Sequence, residues 1–251
     1  MTFDSYLLLL PMFFLVAALY ASVGHGGASG YLALFALFGI ATPSVAPIVL
    51  VLNIIAATTG FINYYRAGHF RWKLLLPFVV GSIPAAFIGG YIALSATIFA
   101  FMLGVALLLA AGRIFFLGTI TEKSIRDATR TLWIAGLPIG IVLGLISGMI
   151  GIGGGVFLSP ILLFLRWADA KKTAAVSGAF IVLNSLSGLS GHISRGNFSL
   201  EHSTYFFIVV FLGALVGSRY STRRISSKHL QWLLAVVMVF AGIKLLSKIF
   251  L

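Results

Sequence analysis

Apolar residues run through this chain in ten long blocks, parted by short polar or basic stretches. The blocks do not alternate apolar with polar, as the strands of a membrane barrel would. Unbroken apolar blocks predict helices, which satisfy their own backbone in lipid. The pattern places helices over residues 6–22, 29–39, 44–64, 73–94, 96–117, 132–150, 156–165, 173–193, 203–218 and 228–246. Residues 29–39 and 156–165 are too short for a crossing helix, which needs about 20 residues. Each follows a glycine cluster that ends a longer block, Val23-Gly24-His25-Gly26-Gly27-Ala28 in one case and Ile150-Gly151-Ile152-Gly153-Gly154-Gly155 in the other.

Composition turns a helical reading into a membrane one. Of 251 residues, 60% are hydrophobic and 9% charged, with a mean hydropathy of +1.11. A soluble domain carries roughly 25% charged residues. That shortfall excludes a soluble enzyme, a disordered tail and a nucleic-acid-binding domain. The expected fold class is an all-α polytopic membrane protein, its partners the lipid bilayer and no nucleic acid. The net charge of +12 is first a topological signal, since cytoplasmic loops collect Lys and Arg; handling of anions is the second reading. With no cysteine, disulfides, thiolate metal sites and thiol catalysis are excluded. His25, His69, His192, His202 and His229 are scattered, so no metal site and no cofactor is expected. Asp4, not a basic segment, precedes the first apolar block, which is therefore expected to be retained.

Charge also suggests how the short helices lie. If each long block, glycine cluster and short block form a hairpin returning to its side of entry, the basic loops share one side. These loops carry Arg66, Arg71 and Lys73; Arg113, Lys123, Arg126 and Arg130; Arg166, Lys171 and Lys172; and Arg219, Arg223, Arg224 and Lys228. Both termini then lie outside. Each half becomes a hairpin plus three crossings, an odd number, so the second half is inverted. The expected organisation is a first inverted repeat over residues 1–117, a cytoplasmic linker over 118–130 and a second repeat over 131–251. Asn53 and Gly60 in the first half match Asn184 and Gly191 in the second, and Gly68-His69-Phe70 matches Gly196-Asn197-Phe198. Inverted repeats with interrupted helices are a recurring build of secondary transporters.

The paired motifs at 24–27 and 151–155, the following Pro160, the stretch over 174–199 and the duplicated layout resemble the TauE/SafE family of sulfite and organosulfonate exporters. The resemblance covers nearly the whole chain. It implies a cell-membrane transporter of sulfur-containing or other small organic anions, working as an exporter in a proton-linked way. Ala28 departs from the second copy, which has Gly155, and the first tip is expected to pack less tightly.

The candidate substrate site is Gly24, His25, Gly26, Gly27, Asn53, Gly151, Gly153, Gly154, Asn184, His192 and Arg195. Glycine at the tips lets backbone N–H groups face a ligand, and each short helix offers an N-terminus with about half a positive charge. Two such ends near the midplane would bind an anion; alternatively the glycines only permit close helix crossing. His25 is the proton-coupling candidate, or else a neutral group bonded to a freed carbonyl. Asn53 and Asn184 offer amide donors to an anion, or serve the tips' unpaired backbone. Arg195, with His192 before it, would attract anions at one mouth.

The leading function is thus a secondary transporter of a small anion by alternating access. A passive anion channel and a structural subunit are the alternatives. An enzyme is not expected: no Ser/His pair, HExxH or paired aspartates appear, and no Walker motif supports ATP hydrolysis. Homo-oligomerisation is compatible with the sequence.

Overall fold

The computed structural model of the chain describes residues 3–116, 129–196, 204–220 and 227–250. Among the described residues ten helices follow in order: α1 Phe3–Ser22, α2 Ala28–Leu37, α3 Ala46–Arg66, α4 Trp72–Tyr91, α5 Ala96–Phe116, α6 Thr129–Ile150, α7 Gly155–Phe164, α8 Ala170–Ser194, α9 Thr204–Tyr220 and α10 Ser227–Phe250. A 3-10 turn, Pro43–Val45, leads into α3. Among the described residues five helices are long and apolar enough to cross a membrane, namely α3, α4, α5, α6 and α8, and further apolar helices are shorter. The protein is an all-α polytopic membrane protein. Most of the expected linker, residues 117–128, lies outside the described residues, as do Asn197, Phe198, His202 and Arg223.

The predicted helices are all present, with ends set by caps that the apolar pattern does not carry. Helix α8 starts at Ala170 rather than residue 173. The Asp169 carboxylate accepts the Lys172 amide at 2.8 Å and pairs with the Lys172 ammonium at 2.8 Å, a side-chain N-cap. Helix α2 stops at Leu37, two residues early. Gly39 takes φ +76°, so its amide reaches the Ala36 carbonyl and that of Ile40 reaches Phe35. This is a Schellman closure. Helix α7 ends in the same way, but with Arg166 at φ +57° in the place of the glycine.

The short helix α2 doubles back on α1, the helix before it. Along α2, Ser29 meets Tyr20, Gly30 abuts Val16, and Tyr31 and Phe35 pack on Phe13. Contacts that move down α1 as the chain moves up α2 define an antiparallel hairpin. The principal helix pairs are α4 with α6, α4 with α8, α1 with α9, α5 with α10 and α3 with α8.

Small residues set these crossings. Gly136, Gly140, Gly144 and Gly148 form one stripe of α6 at four-residue spacing, resting on Pro77, Phe78, Ser82 and Ala86 of α4. A Cβ on Gly148 would also stand 2.8 Å from the Gly90 amide. In lipid, where apolar contact alone does not drive helices together, such close backbone approach supplies the packing. Gly213 and Gly217 of α9 rest on Phe14 and Ala18 of α1 in the same manner, and Gly104 of α5 faces Gly242 of α10. Large side chains such as Leu109, Ile134, Phe164 and Phe240 point outward, each more than 60% exposed, as a lipid-facing surface requires.

Candidate functional site

Both glycine clusters break the helix, and both breaks are buried. The first lies between Ser22 and Ala28 and turns on Gly24 (φ +76°) and Gly27 (φ +90°); the second lies between Ile150 and Gly155 and turns on Gly151, Gly153 and Gly154 (φ +79°, +75° and +72°). Left-handed backbone at these positions is what glycine alone adopts without strain. Gly27 and Gly154 are the N-caps of α2 and α7, and neither end has a capping side chain of its own.

Helix α3 brings the breaks together through Asn53, which is 1% exposed. Its Oδ1 accepts the Ala28 amide, the first of α2, at 3.3 Å. Its Nδ2 donates to the Ser185 hydroxyl at 3.2 Å and faces the Ile152 carbonyl of the second break at 3.5 Å. A Cβ on Gly26 would overlap the Asn53 carbonyl oxygen, and one on Gly153 its amide nitrogen. Glycine at 26 and 153 is therefore what lets one asparagine touch both breaks.

His25 makes the second link. Its Nδ1 lies 3.0 Å from the Val23 carbonyl and its Nε2 lies 2.6 Å from the Ser159 hydroxyl. Ser159 in turn contacts the Gly155 carbonyl at 2.9 Å and the Ser177 hydroxyl at 2.8 Å. A carbonyl only accepts, so Nδ1 carries a proton. A neutral His25 then accepts from Ser159, whereas a charged one donates to it. The direction of the His25–Ser159–Ser177 chain thus depends on the charge of the ring.

Two buried hydroxyls with no partner among the described residues adjoin the breaks. Tyr31 Oη lies 2.9 Å from where a Cβ of Gly27 would stand, and Ser147 lies against Gly154.

Asn184, His192 and Arg195 are placed differently. Asn184 is fully buried and turns its Nδ2 to the Phe180 carbonyl of its own helix at 2.9 Å, leaving Oδ1 without a partner. His192, also buried, donates from Nε2 to Gly148, among the last carbonyls of α6, at 3.0 Å. That supports the second break from behind. Arg195 follows the end of α8 and donates to Ile92 at the end of α4, away from both breaks. At the tip of α7, Ile181 occupies the space a Cβ on Gly155 would need, and Ala28 at the tip of α2 is itself buried, so both tips pack tightly.

One cation near the breaks escaped sequence reasoning, which counted it with a topological loop. Arg113 lies inside α5 and donates from Nη1 to the Val156 carbonyl, in the first turn of α7, at 3.2 Å. Pro160 lacks the N–H that would reach residue 156 four positions back, so the carbonyl is free to accept. A proline four residues after a carbonyl is readable in the sequence; the arginine that finds it is not.

Among the described residues no cluster of His, Asp or Glu could hold a metal. The family described as sulfite exporter TauE/SafE matches residues 9–245. A probable membrane transporter protein, y4hK, of Sinorhizobium fredii is 32% identical over 241 residues, covering 93% of this chain and 95% of the relative. Two probable membrane transporter proteins of Bacillus subtilis, YjnA and YunE, are 27% and 23% identical, covering 92% and 84% of this chain and 96% and 83% of themselves. No solved structure is a significant match.

Proposed function

Because the chain belongs to the sulfite exporter TauE/SafE family of membrane transporters, we propose that it is a secondary transporter exporting a small anion, sulfite or an organosulfonate, through the two helix breaks. The observation that carries this reading is Asn53, which holds the first amide of α2 beside the second break. Helix N-termini held in this way present N–H groups and positive partial charge to an anion. Substrate at this point contacts Gly24, Gly26 and Gly27 on one side and Gly151, Gly153 and Gly154 on the other. Asn53 and Asn184 flank it, and the hydroxyls of Tyr31 and Ser147 serve as further donors.

Packing supports an inverted repeat as the moving architecture. Exchanging α1–α5 with α6–α10 turns the α4–α6 pair into α9–α1, α4–α8 into α9–α3, and α2–α10 into α7–α5; α3–α8 and α5–α10 map onto themselves. In such a build one arrangement opens to each side in turn. His25 is the coupling group: taking a proton reverses its bond with Ser159, a residue of the opposite half, and so ties protonation to how the halves meet. Residues 1–117 and 131–251 are the two repeats, the termini lie outside, and His192 and Arg195 serve the mouth of the path. The protein resides in the cell membrane.

The test is exchange in proteoliposomes loaded with labelled sulfite or taurine. Saturable efflux, accelerated by the same anion on the far side, is expected. Flux that does not saturate and shows no exchange would mean a channel, and no anion flux at all would end the reading.

A further inference from the structure

We propose that Arg113 is the charge-recognition residue of the anion site, its guanidinium meeting the substrate where α2 and α7 begin. The inference rests on the transport reading above and adds the group that supplies a full positive charge to it.

Its position carries the argument. Arg113 is partly buried inside α5, bonded to the first turn of α7, and near enough to Tyr20 and His25 at the first break for its charge to act on both. It is therefore common to the two breaks. Among the described residues it meets no carboxylate: the ion pair found there joins Lys172 and Asp169. An arginine inside a membrane is costly and is ordinarily paired.

The local helix dipoles act on Arg113 in two senses. Cations suit the C-terminal end of a helix and are opposed by the N-terminal end. Lys244 of α10 follows that rule, donating to the Leu37 carbonyl at the end of α2 at 2.6 Å. Arg113 keeps to it in the last turn of its own α5, but lies against the start of α7, where a cation is opposed. One Val156 carbonyl does not account for it, because that bond uses one of five guanidinium donors and a neutral amide would serve. Arg113 adds a full positive charge to the partial charges of the α2 and α7 N-termini, which the C-terminal ends of α1, α5 and α6 partly offset. An anion with two negative charges gains more from that full charge than one with a single charge.

Pro160 provides a way to separate binding from support. Pro160→Ala restores the N–H that pairs with Val156, so the carbonyl no longer needs Arg113. Purified wild type, P160A, R113Q and R113Q/P160A would be compared by thermal shift in sulfoacetate (two negative charges) and methanesulfonate (one). Wild type and P160A are expected to bind both, sulfoacetate more tightly. R113Q/P160A should be at least as stable as P160A without ligand yet bind sulfoacetate at least about tenfold more weakly, the usual scale for a lost hydrogen bond to a charged group. Methanesulfonate should weaken less. Sulfoacetate affinity in R113Q/P160A equal to that of P160A would overturn the role of Arg113 and leave the transport reading standing. Absence of any anion shift in wild type would instead count against the transport reading, and this inference would fall with it. Should the double variant not fold, phenylglyoxal labelling of wild type, read peptide by peptide, decides: sulfoacetate should protect Arg113, and equal labelling with and without it overturns the proposal.

Discussion

Asn53 and Asn184 occupy matching places in the repeat, yet removing them should have very different effects. In Asn53→Ala the Ala28 amide loses its acceptor, and the Ile152 carbonyl and Ser185 hydroxyl lose their donor, all inside a site that is 1% exposed. A buried polar group left unpaired costs about 1–3 kcal/mol. The Ile152 contact, at 3.5 Å, is at the limit of a hydrogen bond and counts least. Two groups at the lower half of that range give about 2–4 kcal/mol. In Asn184→Ala only a bond to its own helix is lost, and the Phe180 carbonyl it served keeps its place in α8. The change also removes an Oδ1 that has no partner, so about 1 kcal/mol or less is expected. The assay is thermal unfolding of both variants in one detergent, scanned at one rate because such unfolding is seldom reversible. Equal losses, or a larger loss for N184A, would refute the view that one asparagine holds both breaks.

Three further outcomes follow from the packing and the caps. Gly148→Ala drives a methyl into the Ala86 carbonyl and toward the Gly90 amide, so it should cost about 2–3 kcal/mol while Gly39→Leu, with open space around it, leaves the α4–α6 crossing intact; cysteine crosslinking across α4–α6 reads the difference. Arg166→Gly removes a side chain from left-handed backbone, a strain of about 1–2 kcal/mol partly offset by the entropy of glycine, and should raise the unfolding temperature. Burial pushes the Asp169 carboxyl up, but the Lys172 hydrogen bonds and the charges of Lys172 and His69 outweigh it and hold the group below its ordinary value. A depressed carboxylate stabilises the fold above its unfolded pKa and loses that contribution as pH falls through its folded one. Asp169→Ala should therefore cost about 1 kcal/mol at pH 7, and the gap to wild type should close below about pH 4.

Much of the architecture was legible because lipid forces the backbone to speak through composition. A run of apolar residues has one economical structure there, and a glycine cluster inside such a run has few uses besides a break. Ends were less legible, since the cap at Asp169 and the closure at Gly39 depend on single residues. The α6 stripe from Gly136 to Gly148 was open to reading by spacing alone, but its partner face on α4 was not. The duplicated asparagines match in sequence but not in hydrogen bonding, since Asn53 reaches across the molecule and Asn184 turns back on its own helix. Arg113 was hidden altogether, because its meaning depends on a proline 47 residues later and on a helix contact that no local pattern records.

The links between the breaks also bear on how the protein is made. Ala28 and Asn53 stand 25 residues apart and can pair as soon as α3 enters the membrane. The bonds of Asn53 to Ser185 and of His25 to Ser159 span 132 and 134 residues. At roughly 5–20 residues per second, the ribosome delivers those partners on the order of ten seconds later. For that interval the newly inserted first hairpin and α3 hold a histidine and an asparagine amide in the bilayer without their final partners. Quality-control proteases and insertion factors meet the protein in this half-satisfied form, and a chain truncated before α7 would be retained in it.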